Sequence, residues 1–296
     1  MNHQVTLNEA PAYDARQDKE RHDGTHEVAP DLAYKRLAIV NVTFFGEPGG
    51  AWVLIDAGLP GSASAIIRAA EARFGADTRP AAIILTHGHF DHVSALETLE
   101  EHWKVPVYAH ELELPYLNGN ASYPPPDPKV GGGLMAALSP LYPRGPIDAG
   151  PWLKVLPRDG SVPEMPGWIW VHTPGHTPGH ISLWRESDRA LIAGDAFITT
   201  TQESAYAVAV QRPEMHGPPM YYTQNWDEAE DSVRRLAVLE PELVIPGHGP
   251  AMRGLLMRTA LKTLAHEFAG VAVPKRGQYV DDPAHAETGT AYRSPY

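Results

Sequence analysis

One pattern constrains this chain more than any other. An apolar run of the kind found in buried strands ends, and a histidine or an aspartate stands at its tip. The pattern occurs at Leu85-Thr86-His87, at Val171-His172-Thr173-Pro174-Gly175-His176, at Ala193-Gly194-Asp195 and at Ile245-Pro246-Gly247-His248. The first instance is the densest, with three histidines and an aspartate between His87 and His92. Crowding polar groups at the mouth of an apolar segment does nothing for stability. Strand tips along one edge of a sheet do converge on a common crevice, however, and side chains planted there are held rigidly.

The rest of the chain supplies the frame. Leu37 to Phe45 and Ala51 to Gly58 read as two strands joined by the turn Gly46-Glu47-Pro48-Gly49-Gly50. A helix is expected over 62–75, with Ser62 or Ser64 as its cap and Gly75 as its end. The nearly all-apolar 81–87 is a strand covered on both faces, and 93–103 is a helix. Strands alternating with helices indicate an α/β architecture. Regular pattern fails over 117–151, rich in proline and glycine, where one short helix is expected around Leu134 to Leu138. Strands return at both ends of 168–184 and over 190–197, with a second irregular stretch over 198–225. The spacing of Ala229, Val233, Leu236 and Ala237 predicts a helix that Pro241 stops. A last strand and loop at 243–252 and a long helix at 253–270 complete a single domain over 31–273. Residues 1–30 are expected to be a flexible arm, and 274–296 an extended, poorly ordered tail. Trp103, Trp152, Trp168 and Trp170 are expected in the core.

The chain has no cysteine, so thiolate metal sites, disulfides and a cysteine nucleophile are excluded. A metal site must use imidazole and carboxylate. The candidates are His87, His89, Asp91, His92, His176, Asp195 and His248, more than one tetrahedral zinc takes. They suit two ions. His87 and His89, two apart on extended backbone, point the same way and can grip one ion, while Asp91 and His92 turn toward a second. The formal charge of -12 and the lack of a Lys/Arg-rich patch argue against nucleic acid as a partner. No apolar run is long enough to span a membrane, and the N-terminus lacks a secretory apolar core, so a cytoplasmic protein is expected.

Thr86-His87-Gly88-His89-Phe90-Asp91-His92 resembles the H-x-H-x-D-H signature of the metallo-β-lactamase superfamily. Residues 173–180, 193–197 and 245–250 resemble its later motifs, in order, and the strand ending in Asp56 resembles its first. The resemblance spans about residues 35–255 and implies a four-layer αββα sandwich with the metal site at one edge of two sheets. It assigns His87, His89 and His176 to one metal and Asp91, His92 and His248 to the other, with Asp195 bridging and Asp56 in support. An aspartate rather than a thiolate at 195 is similar to glyoxalase II and acyl-homoserine-lactone lactonases.

The activity this implies is hydrolysis of an ester, lactone or thioester by a metal-bridging hydroxide that attacks the carbonyl carbon, with Asp91 shuttling a proton. Ester or lactone ranks above glutathione thioester, because no basic cluster follows His248. The cofactors expected are two divalent ions, zinc first, with iron or manganese as alternatives. The rival readings are a persulfide dioxygenase with one iron on the same fold and, ranked lower, a phosphodiesterase or nuclease. The expected partner is a small-molecule substrate, and a homodimer is compatible with the reading. His180 reads equally as a support for the site or as a structural residue, and Tyr221 or Tyr222 as a substrate contact or as packing.

Overall fold

The computed structural model describes residues 5–6, 19–211 and 213–295. In chain order its strands are β1 (Val5–Thr6), β2 (Lys19–Glu20), β3 (Thr25–Ala29), β4 (Leu32–Leu37), β5 (Val40–Phe45), β6 (Val53–Ile55), β7 (Ala82–Ile84), β8 (Val107–Ala109) and β9 (Leu153–Val155). They continue with β10 (Trp168–His172), β11 (Ile181–Arg185), β12 (Ala190–Gly194), β13 (Glu214–Met215), β14 (Leu243–Pro246) and β15 (Met252–Arg253). The α-helices are α1 (Ala63–Phe74), α2 (Phe90–Val93), α3 (Leu96–Trp103), α4 (Leu114–Leu117), α5 (Leu134–Leu138), α6 (Ala205–Val210), α7 (Trp226–Val238), α8 (Gly254–His266), α9 (Phe268–Val271) and α10 (Gln278–Asp281).

Strands β2 to β9 form one sheet in sequential order, and β10-β11-β12-β14-β15 form a second; β1 pairs with β13. In the first sheet β2 through β6 run antiparallel, and β6 through β9 are parallel. Parallel neighbours need a crossover. Helix α1 makes it between β6 and β7, α2 and α3 make it between β7 and β8, and α7 lies in the crossover from β12 to β14.

The layers follow from side chains alternating across a strand. Val53, Ile55 and Ile84 of the first sheet share a core with Leu183, Ile192 and Ile245 of the second. Their neighbours Leu54 and Ile83 face the other way, onto Ile66, Leu99 and Trp103 of the helices. Leu191, Ala193 and Val244 likewise turn outward onto Val233, Leu236, Leu261 and Leu264. The result is the αββα sandwich. Each fully buried Leu, Ile or Val contributes about 1.5–3 kcal/mol, which is why a strand with two apolar faces is held in place on both sides.

Several expectations need correction. The run Leu37 to Phe45 is a hairpin rather than one strand: Leu37 pairs with Val40, and Ala38 turns the chain with φ 57°. No glycine or asparagine marks this turn, and it is stabilised by the ladder on either side. Residues 25–29 of the expected arm form β3 against β4, because Thr25 and Val28 find buried places; most of 1–18 lies outside the described residues. The tail is packed rather than extended. Tyr279, Ala284 and Ala291 are buried, and Arg293 pairs with Ser122 in an isolated bridge. Trp103 and Trp168 are buried as expected, but Trp152 and Trp170 are only half-buried. The short helix in the irregular insert is α5. No helix among the described residues is long and apolar enough to cross a membrane.

Candidate metal centre

The four strand tips meet. His87 follows β7 and His89 stands immediately before α2, whose single turn carries Asp91 and His92. His176 lies in the loop from β10 to β11, Asp195 directly after β12, and His248 after β14. The first sheet thus contributes His87, His89, Asp91 and His92, and the second contributes the other three. All seven are buried, none more than 5% exposed.

Their ligand atoms form three overlapping groups, each within 4.8 Å: His87, His89 and His176; His87, His92 and Asp195; Asp91, His92 and His248. Asp195 Oδ2 lies 3.4 Å from His176 Nε2 and 3.1 Å from His248 Nε2, and Asp195 Oδ1 lies 3.6 Å from His92 Nε2. His89 Nδ1 is 2.9 Å from His176 Nε2. Asp91 Oδ2 is 3.4 Å from His248 Nε2. Asp195 therefore stands between the two outer groups.

Whether a cation fits is tested by atoms that have no other use. His87 Nε2, His92 Nε2 and Asp195 Oδ1 are buried without a hydrogen-bond partner among the described residues. Leaving one such group unsatisfied costs about 1–3 kcal/mol, and here they face one another. Imidazole nitrogens and carboxylate oxygens are the donor set of divalent zinc, iron and manganese. The residues fit a divalent metal.

The opposite nitrogens are spoken for, and this decides which lone pairs face inward. His248 Nδ1 lies 2.5 Å from the Ile39 carbonyl oxygen, which can only accept, so Nε2 keeps its lone pair for the centre. His92 Nδ1 is 2.8 Å from Asp56 Oδ2. Asp56 also accepts from the Thr86 amide and hydroxyl at 2.8 Å each, and the Thr86 hydroxyl is 3.0 Å from His87 Nδ1. His176 Nδ1 is 3.2 Å from the Thr223 hydroxyl. Of the two readings of His180 the structure favours support: its Nε2 accepts the Asp195 backbone N–H at 2.8 Å. Gly247 is glycine because a Cβ there would lie 2.0 Å from Asp195 Oδ1.

Charge separates the histidines into two sets. Burial, then neighbouring imidazoles, hold His87 and His89 well below the ordinary histidine range. Burial pulls His176 and His180 down to about 3. Burial also disfavours charge on His92 and His248, but Asp195 leads the carboxylates that reverse it and raise both. Burial raises Asp91, while His248 and His92 more than offset burial at Asp195 and hold it well below the carboxylate range.

Thr86, Thr223 and the Ile39 carbonyl escape sequence reasoning, as does Glu113. Glu113 is fully buried and accepts from Gly88, Gly179, Thr177 and Tyr123. Only Thr86 had a signal, its place between a strand and the first histidine. The Tyr222 ring lies 4.5 Å from His89, stacked on it, and its hydroxyl is 3.4 Å from the Pro143 carbonyl.

Two sheets with buried histidines and aspartates at their shared edge define a metal-centred αββα protein. The chain belongs to the metallo-beta-lactamase superfamily, whose model matches residues 36–248. It is 49% identical to the Probable metallo-hydrolase YflN of Bacillus subtilis (strain 168) over 247 residues, covering 83% of this chain and 94% of that one. The Probable metallo-hydrolase YybB of the same organism is 30% identical over 207 residues, covering 70% and 80%. Among solved structures, a B3 metallo-beta-lactamase with an active-site glutamic acid superposes with a TM-score of 0.58 at 19% identity, covering 90% of this chain and 95% of that one. A metallo-beta-lactamase family protein from Thermus thermophilus gives a TM-score of 0.55 at 21% identity, covering 82% and 81%. At such identities the likeness concerns the fold.

Proposed function

We propose that this protein is a metal-dependent hydrolase that holds two divalent cations and cleaves a carboxylic ester, lactone or thioester of a small molecule. His87, His89 and His176 would hold one cation and Asp91, His92 and His248 the other, with Asp195 standing between the two sets. The observation that carries this reading is the chain of three buried ligand groups, in which the middle one, with Asp195, shares His87 with the first and His92 with the third. The name of the Bacillus relative, a probable metallo-hydrolase, supports it.

When bound, the cations supply Lewis acidity to the carbonyl oxygen and lower the pKa of water from 15.7 to about 7. The protein's own part is positional and acid–base. Asp56, Thr86, Thr223 and the Ile39 carbonyl hold the imidazoles ready, so no reorganisation is needed as charge develops. Asp91, raised by burial, takes a proton as attack proceeds and returns it to the leaving oxygen or sulfur. Tyr222 and Tyr123 pack against His89 and keep bulk water from that side.

Ester or lactone ranks above glutathione thioester. On α8 the cations Arg258 and Lys262 are already paired with Glu242 and Glu240, leaving neither free for an anionic peptide. The test is metal quantification on purified protein with a panel of lactones, aryl esters, thioesters and β-lactams. Two zinc, iron or manganese ions per chain with ester or lactone turnover support the reading. One iron per chain with oxygen uptake on a persulfide replaces it with the dioxygenase. A metal-loaded protein that hydrolyses none of the panel overturns it.

A further inference from the structure

We propose that Glu113 is a positioning residue of the metal centre. Its carboxylate fixes the separation between the loop of His87 and His89 and the loop of His176 and His180, and so sets how tightly the histidine-rich half grips a cation. The inference rests on the metal-centre reading above.

Glu113 ends a short 3-10 turn, Glu111–Glu113, and is fully buried. Its Oε2 accepts from the Gly88 amide at 2.9 Å and from the Tyr123 hydroxyl. Its Oε1 accepts from the Thr177 hydroxyl at 2.8 Å and the Gly179 amide at 2.7 Å. A carboxylate offers about four acceptor sites, and all are used. Three of the donors belong to the centre. Gly88 lies between His87 and His89, Thr177 follows His176, and Gly179 precedes His180, which accepts the Asp195 amide. One side chain therefore ties together two of the four segments that carry candidate ligands, and His180 links the second of them to Asp195.

The approach is close enough to require the glycines. A Cβ on Gly88 would lie 2.7 Å from the Tyr123 hydroxyl, and one on Gly179 would lie 2.7 Å from Glu113 Cγ. Tyr123 then carries the contact onward, its ring 4.4 Å from that of His89. Glu113 touches no ligand atom itself and acts through these loops. An amide cannot replace the carboxylate. Glutamine would keep two acceptor sites and turn an NH₂ group toward two donors.

The experiment uses the full chain, depleted of metal and titrated with cobalt(II), reading the visible bands and competition with a chelator. Glu113→Gln is expected to fold, with a cobalt affinity of the histidine-rich half about 10–100-fold weaker, altered bands, and kcat lowered more than KM is changed. Tyr123→Phe and Thr177→Val, each removing one donor, are expected to weaken affinity about fivefold. Native cobalt affinity and bands in Glu113→Gln, with only a lower melting temperature, overturn the proposal in favour of a structural role. If Glu113→Gln fails to fold, unchanged affinity in both single-donor variants overturns it equally. A wild type that takes up no cobalt overturns the metal-centre reading, and the inference with it.

Discussion

The two halves of the centre solve the same problem with different chemistry. Around His87, His89 and His176, burial and neighbouring imidazoles outweigh the pull of Asp195 and lower all three. His92 and His248 sit among Asp56, Asp91 and Asp195, and the carboxylates more than offset burial and raise both. The first half presents bare lone pairs. The second sets carboxylates beside its imidazoles. Buried charge is tolerated where opposite charge or donors answer it, and buried neutral donors are tolerated where an ion will.

Asp195 belongs to both halves, so its loss should be the largest effect. Asp195→Ala is expected to lower kcat/KM by on the order of 10³-fold or more and to leave less than one ion per chain by elemental analysis. Full metal content in that variant would show that the halves do not share it. Next come His176→Ala and His248→Ala, each expected to lose one ion of two and about 10²–10³-fold in activity. If the halves are separate, His248→Ala keeps the ion of the histidine-rich half. Equal loss of both ions in each variant would erase the distinction.

Supports come third. Asp56→Asn, behind His92, is expected to weaken metal binding by about 10–100-fold. Thr223→Val, behind His176, should cost less, because a neutral hydroxyl at 3.2 Å is removed rather than a charge at 2.8 Å. Chelator competition on both variants compares them directly.

The smallest effect tests the same rule outside the centre. Glu100 on α3 is buried with Oε1 unpartnered, and burial, then Asp148 and Glu97, push it up to about 8. Its carboxyl is raised on folding, so its contribution is fully present below the ordinary value of 4.5 and is lost as pH rises toward about 8. Glu100→Gln should therefore raise the melting temperature above about pH 8, by the equivalent of about 1–2 kcal/mol, and leave it unchanged at about pH 4. A uniform shift at both would show that charge is not the cause.

The candidate ligands were legible because each lies in a short segment that follows an apolar strand, and strand tips have few places to go. The layers were legible in part: the nearly all-apolar 81–87 demands two covers, which Ile83 and Ile84 find on opposite faces, while the four-layer order was implied by the family resemblance. The hairpin at Ala38 and Ile39 was not, because its apolar residues continue the strand pattern and no turn residue interrupts them. Yet that hairpin brings the Ile39 carbonyl to His248, 209 residues away. The tail was misread for want of periodicity. Its burial comes from single rings such as Tyr279 and from Tyr292 against Tyr116, which no pattern announces.

The sequence by itself determined the candidate ligand set, the strands that carry it and the family, since these rest on local alternation and on residue types at short spacings. Only the tertiary structure decided which lone pairs face the centre and which buried carboxylate, Glu113, spans its loops. Those depend on hydrogen bonds between segments far apart in the chain, and such partners are chosen by packing rather than by their neighbours in sequence.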